Sequence, residues 1–169
     1  NLKVNEAGEL IKGYESCNKC LYCKYNENTN YININGKSKY IYQFLNCKCR
    51  NIIYSIKCCE CNLYYIGSTI NDLPKRMSAH FSSIRKQQPN KDFTLIKHFS
   101  NKKCFNSIKI NILEQIKTET IQQLRSREDE YISKFKTMHP NGLNDRKSSK
   151  INKKFVNLVK IPYGLTLKG

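Results

Sequence analysis

Two tyrosines, an arginine and a glutamate occupy places in this chain where hydroxyl, cation and carboxylate chemistry can meet. Tyr54 lies in the alternating run IIYSI and Tyr65 in LYYIG, and the cysteine-bearing CCEC separates the two runs. Arg76 follows one short loop and one helical turn later. Glu128 stands between Leu124 and Ile132, four residues from each, inside a stripe of apolar residues at helical spacing. A carboxylate aimed at a core needs a cation or several donors, or it neutralises. A bound metal is one reading. The other is a solvated acid at the rim of a wide seam, paired with Arg125 or Lys136. Arg76 taken alone equally reads as a surface arginine whose stem covers apolar neighbours. Together the parts suit phosphodiester hydrolysis, which requires a proton acceptor for water, a cation on the developing pentacoordinate charge and a divalent metal on a hard oxygen ligand.

The cysteines point to a second kind of chemistry. There are nine, Cys17, Cys20, Cys23, Cys47, Cys49, Cys58, Cys59, Cys61 and Cys104. An odd number fits a closed disulfide framework poorly, and Cys-x-x-Cys spacing without a secretory signal favours zinc thiolates in a reducing compartment. The run CNKCLYC offers three thiolates, Cys17, Cys20 and Cys23. A tetrahedral site needs a fourth, which Cys47 or Cys49 can supply.

The elements that must position these groups are legible from periodicity. IIYSI alternates Ile52, Tyr54 and Ile56 on one face, and LYYIG returns as a second strand, so the cysteines fall at a hairpin tip. From Asp72, an N-cap, the spacing becomes helical, with Pro74 in the first turn and Leu73, Met77, Phe81 and Ile84 as the stripe. Arg76 and His80 lie one turn apart beside it. FTLIKHF predicts a short helix and SIKINILEQI a third strand. Thr120 with Gln123 caps a last helix whose seam is Ile121, Leu124, Ile132 and Phe135. Earlier in the chain, YININGKSKYIY predicts a hairpin turning at Asn35 and Gly36. After Asn144 a basic stretch leads to a short apolar run expected to pack on the core.

Composition bounds the partners. The chain has 169 residues, enough for one domain with a core, and a net charge of +17 from 30 Lys and Arg against 13 Asp and Glu. Such an excess fits a polyanion, because neutralising phosphates releases counterions. No window approaches the roughly 18 unbroken apolar residues of a spanning helix. Membrane partners are not expected, and the chain reads as a piece of a larger polypeptide.

These residues carry a resemblance. IIY at Ile52 to Tyr54, YIG at Tyr65 to Gly67, Arg76, Glu128 and Asn144 resemble the GIY-YIG endonuclease superfamily. More narrowly, IIYSIKCCECNLYYIGSTINDLPKRMSAHF, KHF and REDEYISKFKTMHPNGLN are similar to the endonuclease domain of Penelope-like retroelements. The first glycine of the namesake triplet is Ile52 here, a departure that removes no catalytic group.

The resemblance implies an α+β fold, a small three-stranded antiparallel sheet flanked by helices, behind a cysteine-rich arm. It divides the chain into an arm at 1–46, a nuclease core at 47–145 and a basic tail at 146–169. It implies Tyr54 as base, Tyr65 as holder of water and phosphate, Arg76 on the phosphorane charge, Glu128 on Mg2+ or Mn2+, and Asn144 holding the geometry, with Gly67 allowing close packing. It also implies a structural zinc held by Cys58, Cys61, His80 and His98, with Cys59 spare and Cys104 and His139 as alternative ligands. The expected activity is metal-dependent cleavage of double-stranded DNA, leaving a 3′-hydroxyl that primes a linked reverse transcriptase on its template RNA in the nucleus. A zinc-bearing nucleic-acid module without activity and a repair or recombination nuclease are the other expectations.

Overall fold

The computed structural model describes residues 3–88, 92–117 and 120–145. In chain order the elements are β1 (Lys3–Val4), β2 (Leu10–Ile11), β3 (Gly13–Glu15), a 3-10 turn (Cys23–Tyr25), β4 (Tyr31–Ile34), β5 (Lys37–Tyr40), β6 (Phe44–Asn46), β7 (Ile52–Cys58), β8 (Leu63–Thr69), α1 (Leu73–Lys86), α2 (Phe93–Phe99), α3 (Lys102–Asn106), β9 (Ile108–Gln115) and α4 (Ile121–Phe135). The central sheet has three antiparallel strands in the order β8-β7-β9. This is the expected α+β architecture.

β7 lies between two partners and is buried on both faces, which fixes its register, since a slip of one residue would exchange the faces. Ile52, Tyr54, Ile56 and Cys58 share one core with Tyr65, with Met77 and Phe81 of α1, and with Leu95 and Phe99 of α2. Ile53 packs in a second core with Tyr64 and Ile66 of β8 and with Leu124, Tyr131, Ile132 and Phe135 of α4. Opposite the Ile53–Tyr54 step β9 carries an extra residue, Leu113, because Ile53 faces Glu114 while Tyr54 faces Ile112. The bulge buries Leu113 in the α4 core.

The helix ends follow the predicted chemistry. Asp72 accepts from the Lys75 amide at 3.0 Å and Thr120 accepts from the Gln123 amide at 3.2 Å. Asn35 and Gly36 both have positive φ, 50° and 76°, the geometry an Asn-Gly hairpin turn requires. Ile121 departs from expectation. It is 50% exposed, because the first residue of α4 overhangs the sheet instead of joining the seam. The helix α3 was not anticipated; Asn101 caps it by accepting from the Lys103 amide at 2.9 Å.

The N-terminal residues pack on the same cores. Ile32 and Ile34 of β4 join the α4 side, and Tyr14, Ile41 and Leu45 join the α1 side. β3 and β6 pair in parallel, a contact no local pattern announces. The run expected to pack back after Asn144 lies outside the described residues. Among those described, no helix is long and apolar enough to cross a membrane.

Candidate active site and metal centres

Antiparallel register sets Tyr54 directly against Gly67. A Cβ at Gly67 would stand 2.5 Å from Tyr54 Cζ and 2.7 Å from Tyr65 Cε1, so the glycine is what lets both rings lie across the strand. Above them, α1 presents Arg76 and His80, one turn apart. Arg76 Nε donates to Tyr54 Oη at 2.9 Å, and His80 Nε2 lies 2.7 Å from the same oxygen. Tyr65 Oη donates to Asp92 Oδ1 at 3.1 Å, and Asp92 Oδ2 lies 3.6 Å from an Arg76 terminal nitrogen. Tyr54 is fully buried and His80 is 4% exposed.

Burial governs the protonation states. It lifts the Tyr54 phenol above its ordinary value, even though the Arg76 charge and hydrogen bond pull the other way. Burial lifts Tyr65 as well, assisted by Tyr54, Asp92 and Glu128. His80 is pushed well below the usual histidine range, by burial first and then by the Arg76 charge. At neutral pH the site therefore rests as two neutral phenols and a neutral imidazole around one guanidinium.

Glu128 is 6% exposed, so the solvated-rim reading does not hold. Its Oε2 accepts from Ser68 Oγ at 2.5 Å, one residue beyond Gly67. Beside Ser68 a cleft of about 330 Å³ opens between the end of β8, α1 and α4, lined by Thr69, Asn71, Lys75, Arg76, Leu124 and Arg125. Basic side chains from both helices thus face a concavity whose floor adjoins the buried carboxylate. A dry carboxylate steadied by a hydroxyl suits a hard cation, and Mg2+ commonly takes one or two protein carboxylates and fills its other positions with water and phosphate.

Asn144 works through the backbone. Its side-chain oxygen accepts from the Ile66 amide at 3.0 Å and from Thr137 Oγ1 at 2.8 Å, and its amide donates to the Ile66 carbonyl at 2.8 Å. It thereby fixes the outer edge of β8 at Ile66, between Tyr65 and Gly67. Replacing Asn144 by alanine leaves the buried Ile66 amide and carbonyl without these partners, and is expected to cost about 2–4 kcal/mol. Urea unfolding of the variant checks this; a loss under about 0.5 kcal/mol would contradict it.

The thiols gather into two groups. Cys17, Cys20, Cys23 and Cys47 place their ligand atoms within 4.8 Å of one another, as do Cys58, Cys61, His98 and Cys104. Thiolates at about 2.3 Å on a tetrahedron sit about 3.8 Å apart. The observed sulfur separations, 3.6 Å for Cys17–Cys23, 3.9 Å for Cys23–Cys47 and 3.8 Å for Cys61–Cys104, lie close to that edge, and Cys20–Cys23 at 3.4 Å is somewhat shorter. His98 Nε2 is buried with no hydrogen-bond partner among the described residues, which fits a metal-ligating nitrogen. In the first group, hydrogen bonds from Cys20 and its neighbours outweigh burial and bring the Cys23 thiol down to about 6. Asn26 donates to Cys47 Sγ at 3.2 Å, a contact that supports a thiolate ligand.

One expectation about ligands is corrected. His80 is not with the cysteines; it belongs to the tyrosine cluster, because α1 turns its Arg76 and His80 face onto Tyr54. Cys104, the alternative ligand, takes the fourth place, carried there by α3. Of Cys47 and Cys49, the geometry selects Cys47, while Cys49 Sγ accepts from the Asn46 amide at 3.4 Å. Asp92, Ser68 and the contact between His80 and Tyr54 were not foreseen. For His80 the signal was present, since spacing of four from Arg76 puts both on one helical face; Asp92 lies in a loop and gave none.

Comparison with known proteins follows this geometry. A family model described as the GIY-YIG catalytic domain matches residues 50–144. That span contains Tyr54, Tyr65, Arg76, His80, Asp92, Glu128 and Asn144. The solved catalytic domain of the homing endonuclease I-TevI is 28% identical, covering 56% of this chain and 96% of its own, with a TM-score of 0.48. A glutamate-to-alanine variant of the catalytic domain of the intron endonuclease I-TevI is 27% identical, covering 57% and 94%, with a TM-score of 0.50. No curated protein matches the chain.

Proposed function

Since the chain belongs to the GIY-YIG catalytic-domain family, we propose that it is a metal-dependent DNA endonuclease that hydrolyses phosphodiesters at the cleft between α1 and α4. The observation that carries this reading is the Tyr54 hydroxyl, held between Arg76 Nε and His80 Nε2 over Gly67. In the tautomer of the neutral imidazole that carries its proton on Nδ1, the Tyr54 phenol donates to His80 Nε2 while Arg76 Nε donates to the phenol oxygen. A DNA phosphate entering the cleft draws the Arg76 guanidinium toward it, which uncovers Tyr54 Oη. Attacking water passes a proton to Tyr54 Oη as the phenolic proton moves to His80 Nε2, so no free phenolate need form at rest. Arg76 then lies against the charge on phosphorus, while Asp92 keeps Tyr65 and Arg76 in place. Glu128 would hold Mg2+ or Mn2+, which supplies Lewis-acid stabilisation of the leaving oxygen.

The polyprotein context is the finer part of the proposal. Cleavage leaves a 3′-hydroxyl that primes a linked reverse transcriptase on its template RNA in the nucleus, as part of a Penelope-like retroelement. Support comes from the resemblance across the hairpin cysteines and HPNGLN. Two zinc ions, one on Cys58, Cys61, His98 and Cys104 and one on Cys17, Cys20, Cys23 and Cys47, complete the structure and suit an intracellular, reducing setting.

The test is the chemistry of the product. With Mg2+ or Mn2+ the protein is expected to nick supercoiled plasmid and leave 3′ ends that a DNA polymerase extends directly. Absence of nicking under these conditions would overturn the nuclease reading. Ends that need phosphatase treatment before extension would exclude target priming.

A further inference from the structure

Three tyrosines stand on the surface with no role in the site above. Tyr31 and Tyr40 face each other across the β4–β5 hairpin, and Tyr42 follows on the same face. They are 39%, 54% and 70% exposed, and their centroids run 5.0 Å and 6.2 Å apart in a continuous row. The rings pack on one another at tilts of 57° and 32° and keep part of their surface open to solvent.

The row ends at a second cleft of about 230 Å³ where Tyr42 meets Leu10, Lys12, Phe44, Gln115 and Lys117. Its placement is rigid. Gln43, next to Tyr42, both donates to the Gln115 carbonyl and accepts from the Gln115 amide, each at 2.9 Å. Gln115 pairs with Ile52, and Ile52 pairs with Thr69, which lines the cutting cleft. Gln115 of one cleft and Thr69 of the other therefore lie on one row across the sheet, two strand spacings, roughly 10 Å, apart. Arg50 bridges the gap: its Nε donates to the Ile70 carbonyl at 3.2 Å, and its own carbonyl accepts from Gln115 at 2.9 Å.

We infer that the Tyr31, Tyr40 and Tyr42 row is a stacking platform for unpaired bases of the DNA strand adjoining the cleavage position. The inference rests on the nuclease reading for the origin of that strand, and on the rings for its recognition. Base stacking on tyrosine is tolerant of sequence, because every base has a flat face. Lys12 and Lys117 beside Tyr42, Arg50 on the path and Lys37 on β5 supply the cations for the backbone. A few nucleotides unpaired beside the nick would thus be held clear of the cleft.

The probe is a fluorescein-labelled oligo(dT) of about 20 nucleotides, long enough for one platform, read by anisotropy in buffer without Mg2+ or Mn2+. A blunt duplex serves as control. The double variant Tyr40→Ala/Tyr42→Ala is expected to bind oligo(dT) at least about tenfold more weakly and the duplex almost unchanged. Tyr40→Phe/Tyr42→Phe is expected to match the parent, because ring faces and not hydroxyls carry the contact. Equal affinity of the alanine variant and the parent for oligo(dT) overturns the inference, as does equal weakening by phenylalanine and alanine. A change confined to self-association, seen by light scattering, would show a protein-docking face and overturn it too. Plasmid nicking by the alanine variant separates the questions, since it persists if only the platform fails and is absent in the parent if the nuclease reading fails.

Discussion

Replacing Glu128 by alanine is expected to slow metal-dependent nicking by about a thousandfold or more while leaving the protein folded and able to bind DNA. The size follows from what the carboxylate does. Lewis-acid stabilisation by a bound divalent ion contributes several kcal/mol to the transition state, and each 1.36 kcal/mol is tenfold in rate. Glu128 is a buried carboxylate that accepts from Ser68, a residue lining the cleft, and on the proposed reading its loss removes the ion's protein anchor. The fold survives because Leu124, Tyr131, Ile132 and Phe135 carry the α4 packing. Binding survives because removing a negative charge beside a phosphate site does not oppose a polyanion. Single-turnover nicking with anisotropy on the same samples separates the two effects. A variant that cuts within about threefold of the parent would remove Glu128 from the reaction.

Zinc removal should have the second large effect, on stability instead of chemistry. Structural zinc contributes on the order of 10 kcal/mol or more to a small domain, as much as the whole net stability of many proteins. Cys58 and Cys61 stand at the β7–β8 tip, His98 ends α2 and Cys104 lies in α3, so this centre ties the sheet to both short helices. The other centre ties the Cys17–Cys23 turn to Cys47. A strong chelator is expected to unfold the chain, with return of structure on adding Zn2+. His98→Ala and Cys104→Ser should each lose about one zinc per chain and melt lower, whereas His80→Gln should keep full zinc and lose activity. Metal content by mass spectrometry of the native protein is the check. Loss of zinc on changing His80, with none on changing Cys104, would reverse the ligand assignment.

The difference between those two residues shows what local pattern conveys. The hairpin, the capped helices and the third strand were legible because each rests on a period or a cap within about ten residues. Glu128 was legible as an acid in an apolar stripe, and its burial bears out the inward reading. Arg76 and His80 share a face by spacing alone, so their joint approach to Tyr54 was available too, yet the resemblance drew His80 toward zinc. Cys104 was only a possibility, because its distance from Cys61 depends on the turn between α2 and α3. Asp92 reaches Tyr65 and Arg76 from a loop. The parallel pairing of β3 with β6 spans about thirty residues and leaves no periodic trace. Ile121 was placed in the seam because periodicity does not reveal where a helix runs past the edge of its sheet.

One helix connects the two sets of residues. α2 carries His98 near its C-terminal end, in the cluster with Cys58, Cys61 and Cys104, and Asp92 just before its first residue, at Tyr65 and Arg76. At about 1.5 Å per residue the two ends are roughly 9–10 Å apart. A metal held by Cys58, Cys61, His98 and Cys104 would thus also steady the Asp92 carboxylate beside Tyr65 and Arg76.

The central claim is that the Tyr54 hydroxyl passes the proton of the attacking water. Tyr54→Phe deletes that single oxygen and keeps the ring that packs over Gly67, so the measurement is the single-turnover rate of plasmid nicking by this variant in saturating Mg2+, at matched zinc content and melting temperature. The account predicts a rate at least about a hundredfold below the parent. A phenylalanine variant that nicks at the parental rate would contradict it.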